Sequence, residues 1–177
     1  MIEKFKKLLE TISPVDQIEK PHEYYVNKLI EYWKDGNLIW TVPKEIEKLD
    51  DESRYKIYHD AFLKYCKWDY YEEYCWNLLI RNMLEYLYYS EHLKDPKEIA
   101  DIFKKLGYII PTNKIKQCLD LFYEIDYITD EELAWAKTPE EEAYWEREIR
   151  ELEDQLSDVI HEIVDSLPIS KSKLNNF

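Results

Sequence analysis

Arg54 and His59 are separated by four residues in the stretch SRYKIYHD (53–60). A histidine can take or give a proton near neutral pH, and an arginine can stabilise charge building on a phosphate oxygen. Together such groups suit acid/base chemistry at a phosphate. Other chemistry is poorly served. His22, His59, His92 and His161 are scattered, and Asp158-x-x-His161 is the nearest approach to a Glu-x-x-His ligand pair. Cys66, Cys75 and Cys118 form no CxxC, as expected of reduced, buried thiols in a cytoplasmic protein. Two glycines in 177 residues leave no phosphate-cradling loop and no nucleophile elbow. No metal and no cofactor is expected.

The Arg54-x4-His59 motif resembles that of the HEPN ribonucleases, which are all-helical. The resemblance implies His59 as general acid/base and Arg54 as the group that stabilises the phosphate. It covers six residues. Tyr55 stands where that family places a small polar residue, and the motif comes early in the chain. On one helix, five positions turn through about 140°, so the two side chains do not share a face. The expectation is therefore a chain that is not an enzyme, with the ribonuclease as a minority reading.

Residues 96–128, PKEIADIFKKLGYIIPTNKIKQCLDLFYEIDYI, look like a helix-turn-helix. Ile99-Ala100 falls where such motifs put an apolar-Ala pair, and Leu106-Gly107 ends the first helix. Asn113, Lys114, Lys116 and Gln117 would then face outward from the N-terminal half of a recognition helix. Six lysines against three acids give residues 92–118 a local charge of +3. This is the alternative function: a DNA-binding transcriptional regulator.

The C-terminal third has the opposite character. Residues 119–166 carry 17 carboxylates against Lys137, Arg147 and Arg150, which accounts for the whole net charge of −14. In 138–167 a seam of Trp145, Ile149, Leu152, Leu156, Val159 and Ile163 alternates by four and three, as in a heptad repeat that could also form a homodimer through 145–163. Opposite it runs an acidic stripe of Glu148, Glu151, Asp154, Asp158, Glu162 and Asp165. A rigid row of carboxylates can imitate a nucleic-acid backbone. The leading expectation is an acidic inhibitor or adaptor that binds a basic, nucleic-acid-handling protein. In style it resembles phage anti-defence proteins such as anti-CRISPRs, or immunity proteins against nuclease toxins.

The elements that must position these residues are helices. Little glycine, much Glu, Lys and Leu, and long stretches without proline predict an all-α, irregular bundle of about seven or eight helices. Predicted helices run over 2–11, from Ser13-Pro14, from Pro21 to Gly36, 43–49, from Asp51 or Ser53, 70–90 after an Asp69 cap, 95–107, 112–124, 129–136 behind a Thr129-x-x-Glu132 capping box, and 139–168. LIWTV (38–42) reads as a buried linker. The expected organisation is a helical core domain over 1–137, a long acidic helix over 138–167 and a flexible tail over 168–177. No stretch is apolar enough to span a membrane.

Overall fold

The computed structural model describes residues 20–69 and 72–168, with side chains throughout that range except at 67–69 and 72–74. The expected helices at 2–11 and from Ser13, the Asp69 side chain expected as a cap, and most of the tail lie outside the described residues. Those residues form seven helices and no strand.

Helix α1 (His22–Lys34) buries Val26, Leu29, Ile30 and Trp33, residues spaced to share one helical face. Gly36, at φ 89°, ends it. The linker that follows is closed by Trp33, whose Nε1 donates to the Thr41 carbonyl at 3.1 Å. Leu38 is exposed there, so that linker is buried only in part. After the single turn α2 (Lys44–Glu47) comes α3 (Asp51–Asp69). It starts at Asp51, one of the two expected starts, and its cap is Asp50. The Asp50 carboxylate accepts from the Ser53 amide at 2.9 Å and from its hydroxyl at 2.7 Å.

Helix α4 (Glu72–Glu85) runs into a π-helical turn, Tyr86–Ser90. Leu79, Ile80, Met83, Leu84 and Leu87 are fully buried, so the apolar-all-round segment is central. Tyr86 stacks on Tyr58 of α3 with ring centroids 4.1 Å apart, and Trp33 meets Tyr58 and Phe62 edge-on. These rings couple α1, α3 and α4 through large buried surfaces. The two polar groups that needed partners inside α4 have them. Arg81 binds Glu85 at 2.9 Å and Glu153 at 2.5 Å, while the Asn82 amide donates to the Leu78 carbonyl at 2.8 Å.

Helix α5 (Pro96–Lys105) starts at its Asp95 cap, which accepts from the Lys97 amide at 2.9 Å. Gly107, at φ 94°, closes it, and the Tyr108 amide reaches back to the Phe103 carbonyl at 2.8 Å. Helix α6 (Thr112–Tyr127) continues without a break into a π-helical stretch, Ile128–Leu133. The capping box expected at Thr129 does not form. The Thr129 hydroxyl donates to the Ile125 carbonyl at 2.7 Å, a bond a threonine makes inside a continuing helix.

Helix α7 (Pro139–Ser166) does form its expected cap, with Thr138 Oγ1 accepting from the Glu141 amide at 3.1 Å. It packs on α6 and α4. Leu156, Ile160, Ile163 and Leu167 join the same core as the other helices, each contributing on the order of 2 kcal/mol of burial. The heptad seam is thus spent within the chain at its C-terminal end. Trp145, Ile149 and Leu152, at its start, remain only half-buried.

Candidate functional site

Arg54 and His59 lie on α3 but serve different neighbours. The Arg54 guanidinium forks onto Glu91 at 2.9 and 2.6 Å. It also donates to Asp51 at 2.9 Å and to the carbonyls of Leu49 at 2.7 Å and Glu47 at 3.5 Å. Its five N–H donors are all engaged, and none is left for a phosphate. Glu91 in turn accepts from the Tyr86 hydroxyl. Hydrogen bonds with Glu91 outweigh burial and raise the Arg54 pKa further. The group is a clasp that ties the end of α2 and the start of α3 to the end of the α4 π-turn.

His59 is buried, and both ring nitrogens are taken. Nδ1 lies 2.8 Å from Asp60 Oδ1 and Nε2 lies 2.7 Å from the Tyr108 hydroxyl. Asp60 Oδ2 meets His22 Nε2 at 2.8 Å. The chain His22–Asp60–His59–Tyr108 therefore links α1, α3 and the turn after α5. The closure at Gly107 aims Tyr108 inward to complete it. Burial pushes the Asp60 carboxyl up, yet hydrogen bonds from His59 and His22 hold it below the usual value. Burial pushes the Tyr108 phenol up. Both nitrogens of the buried His59 ring are therefore occupied by partners within the chain.

The basic face expected of a recognition helix is also committed. Asn113, Lys116 and Gln117 are exposed on α6, but Lys116 pairs with Asp120 at 2.6 Å. Lys114 is half-buried and pairs with Glu162 of α7. Both lysines thus meet a carboxylate, one of them from the acidic stripe itself.

The stripe stands apart from this pattern. Glu151, Asp154, Asp158, Glu162 and Asp165 are exposed and Glu148 is half-buried. Among the described residues only Glu162 of the six is in an ion pair. At 1.5 Å per residue the row spans about 25 Å. Its pitch, with steps of three and four, winds slowly round the outer face of α7.

Sequence reasoning missed three groups. Glu91 and Tyr108, the partners of Arg54 and His59, are distant in sequence and carry no motif. Four exposed aromatics at the shoulder where α6 meets α7 were also missed: Tyr123, Tyr127, Trp135 and Tyr144. Tyr123 and Tyr127 are four apart and off the buried stripe of Ile115, Leu119 and Phe122, which is the signal that could have found them. The densest aromatic run of the chain is 65–76, YCKWDYYEEYCW. Its described ends, Tyr65 and Trp76, belong to the core.

Among the described residues no group of histidines, cysteines and carboxylates could hold a metal ion, and no helix is long and apolar enough to cross a membrane. Comparison with family models, with curated proteins and with solved structures returns no match, so function must be read from this geometry.

Proposed function

We propose that this chain is a non-enzymatic interaction protein whose outer α7 face binds a basic surface on a nucleic-acid-handling protein. The observation that supports this reading most is the state of the stripe. Every buried or half-buried charge of residues 20–91 whose side chain is described is paired, whereas Glu151, Asp154, Asp158 and Asp165 stand exposed on a 28-residue helix and in no ion pair among the described residues. An unbalanced row of like charge steers an oppositely charged partner and suppresses others. An acidic antagonist of the anti-defence or immunity type would work this way. The ribonuclease reading lacks support, because Arg54 has no free donor and His59 no free nitrogen. The DNA-binding reading is weakened by the pairing of Lys114 and Lys116.

The test is a pull-down from the organism that encodes the protein, with the wild-type chain beside Glu151→Lys/Asp154→Lys/Asp158→Lys. Retention of a basic, nucleic-acid-handling protein by the wild type alone is the expected result. Retention of no such protein, or equal retention by the charge-reversed chain, would overturn the proposal.

A further inference from the structure

A second surface, distinct from the stripe, lies at the shoulder formed by the end of α6, its π-helical continuation and the start of α7. Of seven large hydrophobic side chains exposed on the described surface, four are here: Tyr123, Tyr127, Trp135 and Tyr144. Trp135 is 73% exposed and Tyr123 is 65% exposed, which is far from the usual state of such rings in a monomer. They line two neighbouring clefts. One holds Tyr88, Lys94, Tyr123, Tyr127 and Asp130. The other holds Glu132, Trp135, Glu140, Glu141 and Tyr144. The Tyr127 hydroxyl of the first donates to Glu132 of the second at 3.4 Å, so the two form one continuous surface.

The chain's own cations indicate what these clefts accept. In the first, Lys94 Nζ sits 3.1 Å from the centroid of the Tyr88 ring. At the second, the Arg147 guanidinium lies 5.5 Å from the centroid of the Tyr144 ring. Around them Asp130, Glu131 and Glu140 are exposed and in no ion pair among the described residues. Flat rings set among carboxylates hold a guanidinium twice over, by stacking and by charge. Ridges of aromatic and acidic side chains would be a poor seat for nucleic acid, whose phosphates the carboxylates repel.

We propose that this shoulder docks an arginine-rich segment of a partner protein, with guanidinium groups laid on Tyr123, Tyr127 and Trp135 and held by the carboxylates between them. The proposal rests on the reading that the partner is basic, and it adds a second contact, with its chemistry, to the α7 stripe. The experiment is calorimetric titration of the full chain with a short Arg-Ser repeat peptide at physiological salt. The peptide's Lys-Ser counterpart is run beside it. The chain is compared with Tyr123→Ala/Trp135→Ala, and with the stripe variant Glu151→Lys/Asp154→Lys/Asp158→Lys. Circular dichroism and the thermal midpoint verify that each variant is folded.

Saturable binding of the arginine peptide is expected, weakened about tenfold or more by the aromatic pair of substitutions, the size of a desolvated cation–π contact. The stripe variant should bind the peptide within about threefold of wild type, because even Glu151, the nearest of its charges along α7, is seven residues or about 10 Å from Tyr144, roughly one screening length at physiological salt. No binding, equal binding of the lysine peptide, or an affinity indifferent to Tyr123→Ala/Trp135→Ala in a folded variant would overturn the inference. Failure of the stripe pull-down with peptide binding intact would sink the stripe reading alone. The reverse result would sink the shoulder alone.

Discussion

The charges of α1 to α4 and those of α7 are used in opposite ways. In the first region every buried or half-buried ionic group whose side chain is described closes a contact. Arg54 holds Glu91, Asp60 bridges His22 and His59, Glu45 is clamped by Lys20 and Lys28 so that its pKa falls to about 2, and Lys64 reaches Glu23. In the second, the only ion pair of the outward row of carboxylates among the described residues is Glu162 with Lys114. The difference teaches that formal charge says little until its partners are known. A titratable pair with a catalytic spacing proves to be two structural ties, while a plain acidic helix keeps the free charge.

Arg54→Met is the change that would break this comparison most forcefully. It leaves Glu91 nearly buried and uncompensated and frees the carbonyls at the end of α2. A loss of about 3 kcal/mol in unfolding free energy is expected, read as a lower denaturant midpoint at unchanged slope. Arg54→Lys should recover less than half, since an ammonium cannot fork onto a carboxylate. Loss of RNA-cleaving activity without loss of stability would make Arg54 a functional residue after all.

Asp60→Asn should cost about 2 kcal/mol at neutral pH, from the loss of charge-assisted bonds to two histidines. The pH dependence sharpens it. The folded pKa of Asp60 is below its ordinary 3.8, so its contribution is full above that value and is lost as pH falls through the depressed one. Glu45 acts in the same direction. Burial raises the pKa of Glu85, so that carboxyl protonates first in the fold and opposes the loss. Wild type should therefore weaken as pH drops from about 4.5 toward 2, and Asp60→Asn should weaken less over that range. Parallel curves in chemical denaturation across this window would remove the network from the account.

Helical class, the central position of α4, the caps at Asp95 and Thr138 and the stops at Gly36 and Gly107 were legible in the sequence because each rests on contacts within a few residues. Register details were less so. Asp50 caps α3 through Ser53, and Thr129 back-bonds within a continuing helix, where local motifs alone cannot decide between capping and propagation. The site was legible only in part. The acidic stripe could be seen as a periodicity. The shoulder could not, because exposure of Trp135 depends on how α6 and α7 meet. Nor could the sequence reveal that Glu91 and Tyr108 would occupy the two apparent catalytic groups across 37 and 49 residues.

Thr138→Ala tests whether α7 is held by local structure as firmly as the first region is by its ion pairs. The hydroxyl satisfies the Glu141 amide, and the Glu141 carboxylate accepts from the Lys137 amide at 2.8 Å. About 1 kcal/mol should be lost, with hydrogen exchange rising first in the opening turn of the helix. A loss spread evenly along α7 would instead mean that the helix stands or falls as one unit with the core.

The smallest effect is the most telling, because its sign is expected to reverse. Glu148, Glu151, Asp154, Asp158, Glu162 and Asp165 follow one another at three or four residues, so each faces a like charge along the helix. Such neighbours destabilise a helix by about 0.2–0.5 kcal/mol per pair. Glu162 and Asp165 also sit at the C-terminal end, where the helix dipole disfavours anions. Neutralising Asp158 and Asp165 to Asn, neither of which has a lysine or arginine three or four residues away on the helix, should therefore raise stability by about a few tenths of a kcal/mol at low salt, a gain that fades as salt screens the repulsion. Removing charge from α3 or α4 would do the opposite. A stripe that lowers stability in the free protein carries charges whose compensation must come from outside the chain, which is what a basic partner would supply. A loss of stability on neutralisation would instead place these carboxylates among the structural ties, and the contrast between the two regions would be gone.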